Sequence, residues 1–311
     1  MRVGIMSYPH LKLQFFMTDI RQSLLFANFM QDLGWNTEKI DATFVYLRRF
    51  PLLGYFAKIP RPKPPFPLIK VNRLIKSNHI FQLRISPFLS SIDKNYSLYR
   101  QQFLDFRYKI ISSPFNPTTT IHIDLAQSEE SIFNNFTEAK RRAVRRAIKN
   151  GITVSQSSNI DLFINIRKQQ YSPLGFLMVN EMQKLWQNFY PKNAALLLAY
   201  QNNKDPDIYS KQKNVAAGYN TPVAGILLLF YDYIAYYWFA SSLKIGKKLF
   251  APTILVWEAL KLAKKIGYKT FDFEGIYDER FPQAGQSWKG FTKFKEGFGG
   301  SKITYLENFN L

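Results

Sequence analysis

The run Gly225-Ile-Leu-Leu-Leu-Phe-Tyr-Asp-Tyr-Ile-Ala-Tyr-Tyr-Trp-Phe-Ala240 constrains this chain more than any other stretch. A membrane span needs about 20 apolar residues, and Asp232 interrupts this one in its middle. The run is rich in β-formers, so it reads as two buried strands, Pro222–Phe230 and Tyr233–Ala240, turning at Tyr231–Asp232. Short apolar strands are expected before it, at Ala194–Tyr200 and Lys213–Ala217. A helix is expected after it over Pro252–Lys265, with Thr253 in its first turn and Gly267 past its end. A strand over Tyr268–Glu274 completes a mixed α/β layout.

The first half is less regular. Ile20, Leu24, Leu25, Phe29, Met30 and Leu33 fall at helical spacing over residues 19–34, and Gly34 closes them. Lys39–Leu47 reads as a strand. Residues 51–67 hold Pro51, Pro60, Pro62, Pro64, Pro65 and Pro67, a run that predicts an ordered loop or polyproline segment and excludes a central strand. Thr118–Leu125 alternates as a strand, Ser128–Asn150 reads as one long helix ending at Gly151, and Ile152–Ser155 starts a new strand. A boundary near residue 150 divides the 311 residues into two domain-sized halves.

Charge and composition narrow the function. Lys+Arg 42 against Asp+Glu 22 gives a net charge of +20, which favours an anionic partner such as RNA, a phosphate-rich substrate or an acidic membrane face. Cysteine is absent, which removes thiol nucleophiles, iron–sulfur clusters and Cys-ligated zinc. His10, His79 and His122 are far apart in sequence, so no His-based metal motif is expected. The first residues hold no signal-peptide core, which points to the cytoplasm, with the basic charge allowing contact with a membrane surface.

Four stretches could carry chemistry. In Glu138–Asn150, Arg141/Arg145 and Arg142/Arg146 pair like charges at i,i+4, while Ala143, Val144, Ala147 and Ile148 fill the other face. Such a face is explained either by an anionic partner or by simple solvation. The connection from Ser241 to Thr253 carries Lys244, Lys247 and Lys248 before a helix, which suits a phosphate. Alternation over Tyr268–Glu274 puts Asp272 and Glu274 on one face, able to hold an amine, share a proton or pair with cations. In Trp288-Lys-Gly-Phe-Thr-Lys-Phe-Lys-Glu-Gly-Phe-Gly-Gly, Lys289, Lys293 and Lys295 are interleaved with Phe291 and Phe294. A lysine held among aromatic rings is a fixed positive charge that can stabilise an oxyanion, and the plainer alternative is a strand and bulge packing Phe into the core. His122 reads as structural.

These stretches, in this order, resemble the Fem-type (FemABX) aminoacyltransferases of peptidoglycan cross-bridge synthesis. The resemblance covers nearly the whole chain. It rests on Thr120-Ile-His-Ile-Asp-Leu with the Arg141–Gly151 helix end, Val223-Ala-Gly-Ile-Leu through Ser242, and Ala251-Pro-Thr-Ile-Leu-Val-Trp-Glu-Ala. Its most specific parts are Ala263-Lys-Lys-Ile-Gly-Tyr-Lys-Thr-Phe-Asp-Phe-Glu-Gly-Ile and Phe291-Thr-Lys-Phe-Lys-Glu-Gly-Phe-Gly-Gly. Gln22-Ser23 with Gly34-Trp35 is similar to the family's opening helix.

The resemblance implies an α/β fold of two GNAT-like domains with mixed sheets flanked by helices. Residues 1–150 plus 301–311 would form the first domain, and 151–300 the second, which carries the catalytic motifs. It implies transfer of an amino acid from aminoacyl-tRNA to the stem-peptide amine of UDP-MurNAc-pentapeptide or lipid II, by a monomer with no cofactor beyond the tRNA co-substrate. Lys295 would be the charge stabiliser; Lys247, Phe294, Asp272 and Glu274 would meet substrate; Arg141, Arg142, Arg145 and Arg146 would meet tRNA. The chain departs from the family at Ser86, where an acidic residue is usual, and at Leu25 or Phe26, where a tryptophan is usual. It also lacks the long helical hairpin of some relatives. An acyl-CoA N-acetyltransferase is the competing enzyme, although Leu243-Lys-Ile-Gly-Lys-Lys is a poor diphosphate turn. A non-catalytic RNA-binding module is the competing non-enzyme.

Overall fold

A computed structural model describes residues 17–201 and 221–311, so the strand expected at Lys213–Ala217 lies outside the described residues. After a short turn of 3-10 helix at Ile20–Gln22 come α1 (Leu24–Asp32), β1 (Asn36–Ile40), β2 (Thr43–Phe50) and β3 (Gly54–Pro60). α2 (Leu68–Ser77), β4 (Ile80–Ser86), α3 (Tyr96–Asp105) and β5 (Lys109–Ile110) follow. The middle of the chain holds β6 (Thr119–Asp124), α4 (Glu129–Asn134), α5 (Glu138–Lys149), β7 (Ile152–Ser157), α6 (Ile160–Gln170) and α7 (Val179–Phe189). Then come β8 (Ala194–Gln201), β9 (Pro222–Tyr231), β10 (Ile234–Ser242), α8 (Lys244–Lys248) and α9 (Ala251–Lys265). β11 (Thr270–Asp272), α10 (Lys289–Glu296), β12 (Ser301–Thr304) and β13 (Phe309–Asn310) end it.

The strands form two mixed sheets. One runs β1-β2-β3-β4-β13-β5 and the other β12-β6-β11-β10-β9-β8-β7. β3 with β4 and β10 with β11 are parallel pairs; their neighbours in each sheet pair antiparallel. The expected apolar hairpin is the centre of the second sheet, and β9 is buried from Pro222 to Phe230. Each of Ile226, Leu227, Leu228 and Leu229 contributes about 1.5–3 kcal/mol by leaving water. Asp232 and Tyr233, at φ 44° and 65°, make its turn. This is the left-handed pair that a tight hairpin twist requires, one residue later than expected.

Several elements differ from the sequence expectation. Lys39–Leu47 is not one strand: Asp41 turns left-handed at φ 53° and splits it into the β1–β2 hairpin. The proline run does contain a central strand. β3 lies between β2 and β4, because Pro51 precedes it, Pro60 ends it and the other prolines follow. The long helix is two helices, with Asn135–Thr137 between α4 and α5. The Trp288–Gly300 segment is helical over Lys289–Glu296, since Phe291, Phe294 and Phe298 recur at three and four residues rather than two.

Sheet membership divides the chain differently from a cut at residue 150. β6 and β12 lie in the second sheet, and β12 pairs with β6 from Ser301↔His122 to Thr304↔Thr119. In the tail only β13 returns to the first sheet, between β4 and β5. Among the described residues, no helix is long and apolar enough to cross a membrane.

Candidate active site

The second sheet opens at its parallel pair. β10 and β11 are matched only over Ile234↔Thr270, Ala235↔Phe271 and Tyr236↔Asp272. Beyond that point the Phe273 and Ile276 N–H groups donate to the Ile121 and Thr119 carbonyls of β6. β10 stays with β9 through a bulge between Tyr237 and Phe239. The strand ends therefore diverge into a wedge, and Glu274 takes a left-handed φ of 62° on one arm. A non-glycine residue held there marks a backbone forced by its surroundings.

Two buried cations bridge the arms, one on each face of the sheet. On the face of the Tyr237 ring, Lys295 Nζ donates to the Gly275 carbonyl at 2.6 Å. The same ammonium lies 5.7 Å from the Tyr237 centroid and 5.0 Å from that of Phe291. Burial lowers the Lys295 ammonium to about 8, against the opposing pull of Glu274 and Asp272. A side chain at Gly275 would strike the Trp288 ring, so glycine is required for this approach. On the other face, Arg21 Nη2 donates to Glu274 at 2.6 Å, and the guanidinium sits 4.6 Å from the Trp238 centroid. Burial works against the Arg21 charge, but Glu274 and Asp19 more than offset it.

The carboxylates behind the wedge are held by hydrogen bonds. Asp272 Oδ1 accepts from Thr120 Oγ1 and the Glu274 N–H, and its Oδ2 lies 3.2 Å from His122 Nε2. Burial would raise Asp272, yet His122 and these donors hold it at about 2. Burial pushes the Glu274 carboxyl up, and Arg21 draws it back toward the ionised form. Asp272 and Glu274 are thus brought together as expected, but each is committed to protein partners. His122 also lines a crevice of about 360 Å³ with Phe88, Thr270 and Ser301.

A second cationic group, not singled out from sequence, comes from α6 and β3 and is linked through Glu181 of α7. Arg167 of α6 donates to Ser241 Oγ at 3.2 Å and lies 4.8 and 5.0 Å from the Phe239 and Tyr171 rings. Its Nε is buried with no hydrogen-bond partner among the described residues. Lys58 of β3 sits 4.2 Å from the Trp35 centroid, and burial lowers it to about 8. Both feel the half-buried Glu181, whose carboxyl burial raises against their pull. Two cations within electrostatic reach of one carboxylate leave positive charge over, with an unused guanidinium N–H, which suits an anion. Lys58 was hidden in the proline run, and the Arg167–Tyr171 spacing of i,i+4 was the available signal for the other.

The remaining expected residues are placed as follows. Lys247 is exposed in the last turn of α8, and Phe250, left-handed at φ 63°, separates it from the start of α9. Gly246 packs where a side chain would strike the Val223 carbonyl and Ser242 Oγ, so this glycine serves strand packing rather than a phosphate cradle. Phe294 is not beside Lys295; its ring holds the Lys140 ammonium at 3.7 Å, and burial lowers Lys140 to about 8. Arg141 Nη1 donates to the Asn134 and Phe136 carbonyls, tying the helix break together. Arg142, Arg145 and Arg146 remain exposed on α5, with Arg142 3.4 Å from Glu138 and Arg146 5.9 Å from the Phe250 centroid. Ile148, expected on the apolar face, is exposed with them.

The sequence model of the FemAB family matches residues 202–311. No curated protein sequence matches the chain. Among solved structures, FemX superposes with a TM-score of 0.75 at 16% identity, covering 100% of this chain and 97% of that one. The C-terminal domain of a putative lysylphosphatidylglycerol synthetase from Agrobacterium fabrum gives 0.60 at 10% identity, covering 97% and 91%. A tandem GNAT protein from the clavulanic acid biosynthesis pathway gives 0.52 at 7%, covering 86% and 82%. The fold is therefore FemABX-like, built of two mixed sheets flanked by helices as in tandem GNAT proteins, and its C-terminal third carries the FemAB sequence pattern.

Proposed function

We propose that this chain is a peptidoglycan-bridge aminoacyltransferase that moves an amino acid from aminoacyl-tRNA to the stem-peptide amine of a cell-wall precursor. The observation that carries this reading is Lys295, a buried ammonium spanning a wedge between two diverging strands. Aminolysis of an ester builds negative charge on the carbonyl oxygen. A cation already fixed and dehydrated at that place lowers the barrier more than it tightens ground-state binding. A pKa of about 8 leaves Lys295 mostly charged at neutral pH.

The acceptor needs an anion site and the donor a site for RNA. Arg167 and Lys58 supply the first from two different elements, with exposed Lys247 as a weaker candidate farther along the chain. Arg142, Arg145 and Arg146 supply the second as an exposed cationic face, and Arg141 holds that helix in place. Asp272 and Glu274 act by fixing Arg21 and the shape of the β11 arm.

The test is incubation with mixed aminoacyl-tRNAs and either UDP-MurNAc-pentapeptide or lipid II, followed by mass spectrometry of the acceptor. An added aminoacyl mass is expected. An unchanged acceptor with every charged tRNA, together with acetyl transfer from acetyl-CoA, would replace this reading with the acyl-CoA one.

A further inference from the structure

The tip of the β2–β3 hairpin is Arg48-Arg49-Phe50-Pro51-Leu52-Leu53-Gly54. Every residue from Arg48 to Leu53 is exposed, and Leu52 is wholly so. Leu52 is also left-handed, at φ 68°, a conformation that a branched side chain rarely adopts. A leucine is thus held in a glycine-like turn with its side chain entirely in water. Phe81, itself exposed, stands edge-on to Phe50 at 6.0 Å and widens the apolar tip. The tip is backed by β4: a side chain at Gly54 would collide with the His79 carbonyl, and the Tyr55 N–H donates to that same oxygen.

The charges behind the tip are of one sign. Arg48 and Arg49 are exposed, and Lys76, also exposed, lies in the last turn of α2 three residues before His79. Neither Arg48–Phe56 nor Lys76–Phe81 contains a carboxylate. At about 3.3 Å per strand residue, Arg49 and Arg48 stand roughly 3 and 7 Å behind Phe50, where β2 gives way to the turn that carries Leu52. An apolar tip with a cationic band behind it suits a lipid surface, whose phosphates lie above the acyl boundary. We propose that this hairpin docks the protein on an anionic lipid bilayer, with Phe50, Leu52, Leu53 and Phe81 entering the acyl boundary and Arg48, Arg49 and Lys76 meeting the phosphates.

The same two strands lead from the tip to the candidate site. Lys58 lies four residues beyond Gly54 and opposite Tyr46, whose hydroxyl donates to the Arg21 carbonyl. If the aminoacyltransferase reading holds, on which this step rests, a docked molecule receives a lipid-linked acceptor with its diphosphate already at the level of the cationic track.

The test is co-sedimentation of the full chain with phosphatidylglycerol/phosphatidylethanolamine vesicles and with phosphatidylcholine vesicles. Binding to the anionic vesicles is expected, with Leu52→Ser/Leu53→Ser losing at least tenfold in partition and Leu98→Ser, exposed elsewhere, losing nothing. Transfer to lipid II in vesicles should fall with the double variant, while transfer to soluble UDP-MurNAc-pentapeptide should not. A parent chain that stays in the supernatant, or a double variant that sediments like the parent, overturns the docking surface. Either result beside intact transfer to the soluble acceptor leaves the proposed reaction standing. Sedimentation without transfer to either acceptor overturns the reaction and keeps the docking surface.

Discussion

The two sheets each carry one parallel strand pair, and the two pairs end in opposite ways. β3 and β4 stay matched from Tyr55↔Ile80 to Pro60↔Ser86, and the Arg61 N–H and Ser86 carbonyl extend the match at 2.7 Å. β10 and β11 part after three residue pairs. Each pair has a buried cation at its end, but their surroundings differ. Arg61 donates to the Pro117 carbonyl, lies 3.9 Å from Asp19 and stacks over Tyr305, so it ties these segments together, although its Nε and Nη1 have no hydrogen-bond partner among the described residues. Lys295 holds one carbonyl across an open wedge lined by rings. Arg61 therefore sits where its two strands stay paired, whereas Lys295 sits where two strands part.

Replacing each cation separates the two roles. Lys295→Met should cost about 10²–10³ in kcat, the usual loss on removing one oxyanion donor. Folding and the affinity for both substrates should stay near parent. Lys293, exposed on the same helix, is the control, and Lys293→Met should stay within a few-fold. Near-parent turnover by Lys295→Met would remove the catalytic distinction between the two pairs. Arg61→Met should do the reverse. It should lower unfolding free energy by about 1–3 kcal/mol, because it leaves the Pro117 carbonyl without its donor while Asp19 keeps Arg21, and leave kcat within a few-fold. Chemical denaturation beside single-turnover kinetics reads both.

How much of this was legible in the sequence follows from the range of the interactions. The β9–β10 hairpin was legible because its strands are adjacent in sequence and β9 is buried on both faces. Lys295 stands in the Phe294-Lys-Glu-Gly-Phe-Gly-Gly stretch that the sequence singles out, but the stretch does not read as part of a helix. Lys293 and Lys295 suggest a period of two, while Phe291, Phe294 and Phe298 follow three and four. Arg21 could not be found, since its partner Glu274 lies 253 residues away. Nor could the place of β6 in the second sheet, which rests on pairing with β11 and β12. The wedge itself is a failure of two strands to pair, and no local pattern announces that.

The open sheet should also be the one that meets RNA, because α5 packs beside α10 through Lys140 and the Phe294 and Phe298 rings. Arg145→Glu with Arg146→Glu should weaken tRNA binding by about tenfold and make its salt dependence shallower, as fewer counterions are released. Acceptor affinity should be unchanged. Arg141→Ala should act differently, lowering stability by freeing the Asn134 and Phe136 carbonyls. Equal tRNA affinity for the double variant and parent across a salt series would leave the cationic face as mere solvated surface.

The smallest expected effect is the most specific to the wedge. Lys295 is charged below its pKa of about 8 and loses the charge as pH rises through that value. A charge stabiliser therefore works on the acid side of 8 and fails on the alkaline side. The acceptor amine has the opposite demand, since only its neutral form attacks, and it supplies a rising limb. Between pH 7 and 8 the charged fraction of Lys295 falls about twofold, so kcat/KM should bend below the line set by the amine alone. Lys140 and Lys58 are also lowered to about 8 by burial, and either could produce such a bend. Lys295→Arg separates them, because a guanidinium stays charged throughout and should remove the falling limb while lowering the maximum. Lys140→Met should keep the limb. If Lys140→Met removes it and Lys295→Arg does not, the titrating cation sits between α5 and the Phe294 ring rather than in the wedge, and the functional contrast between the two strand pairs is lost.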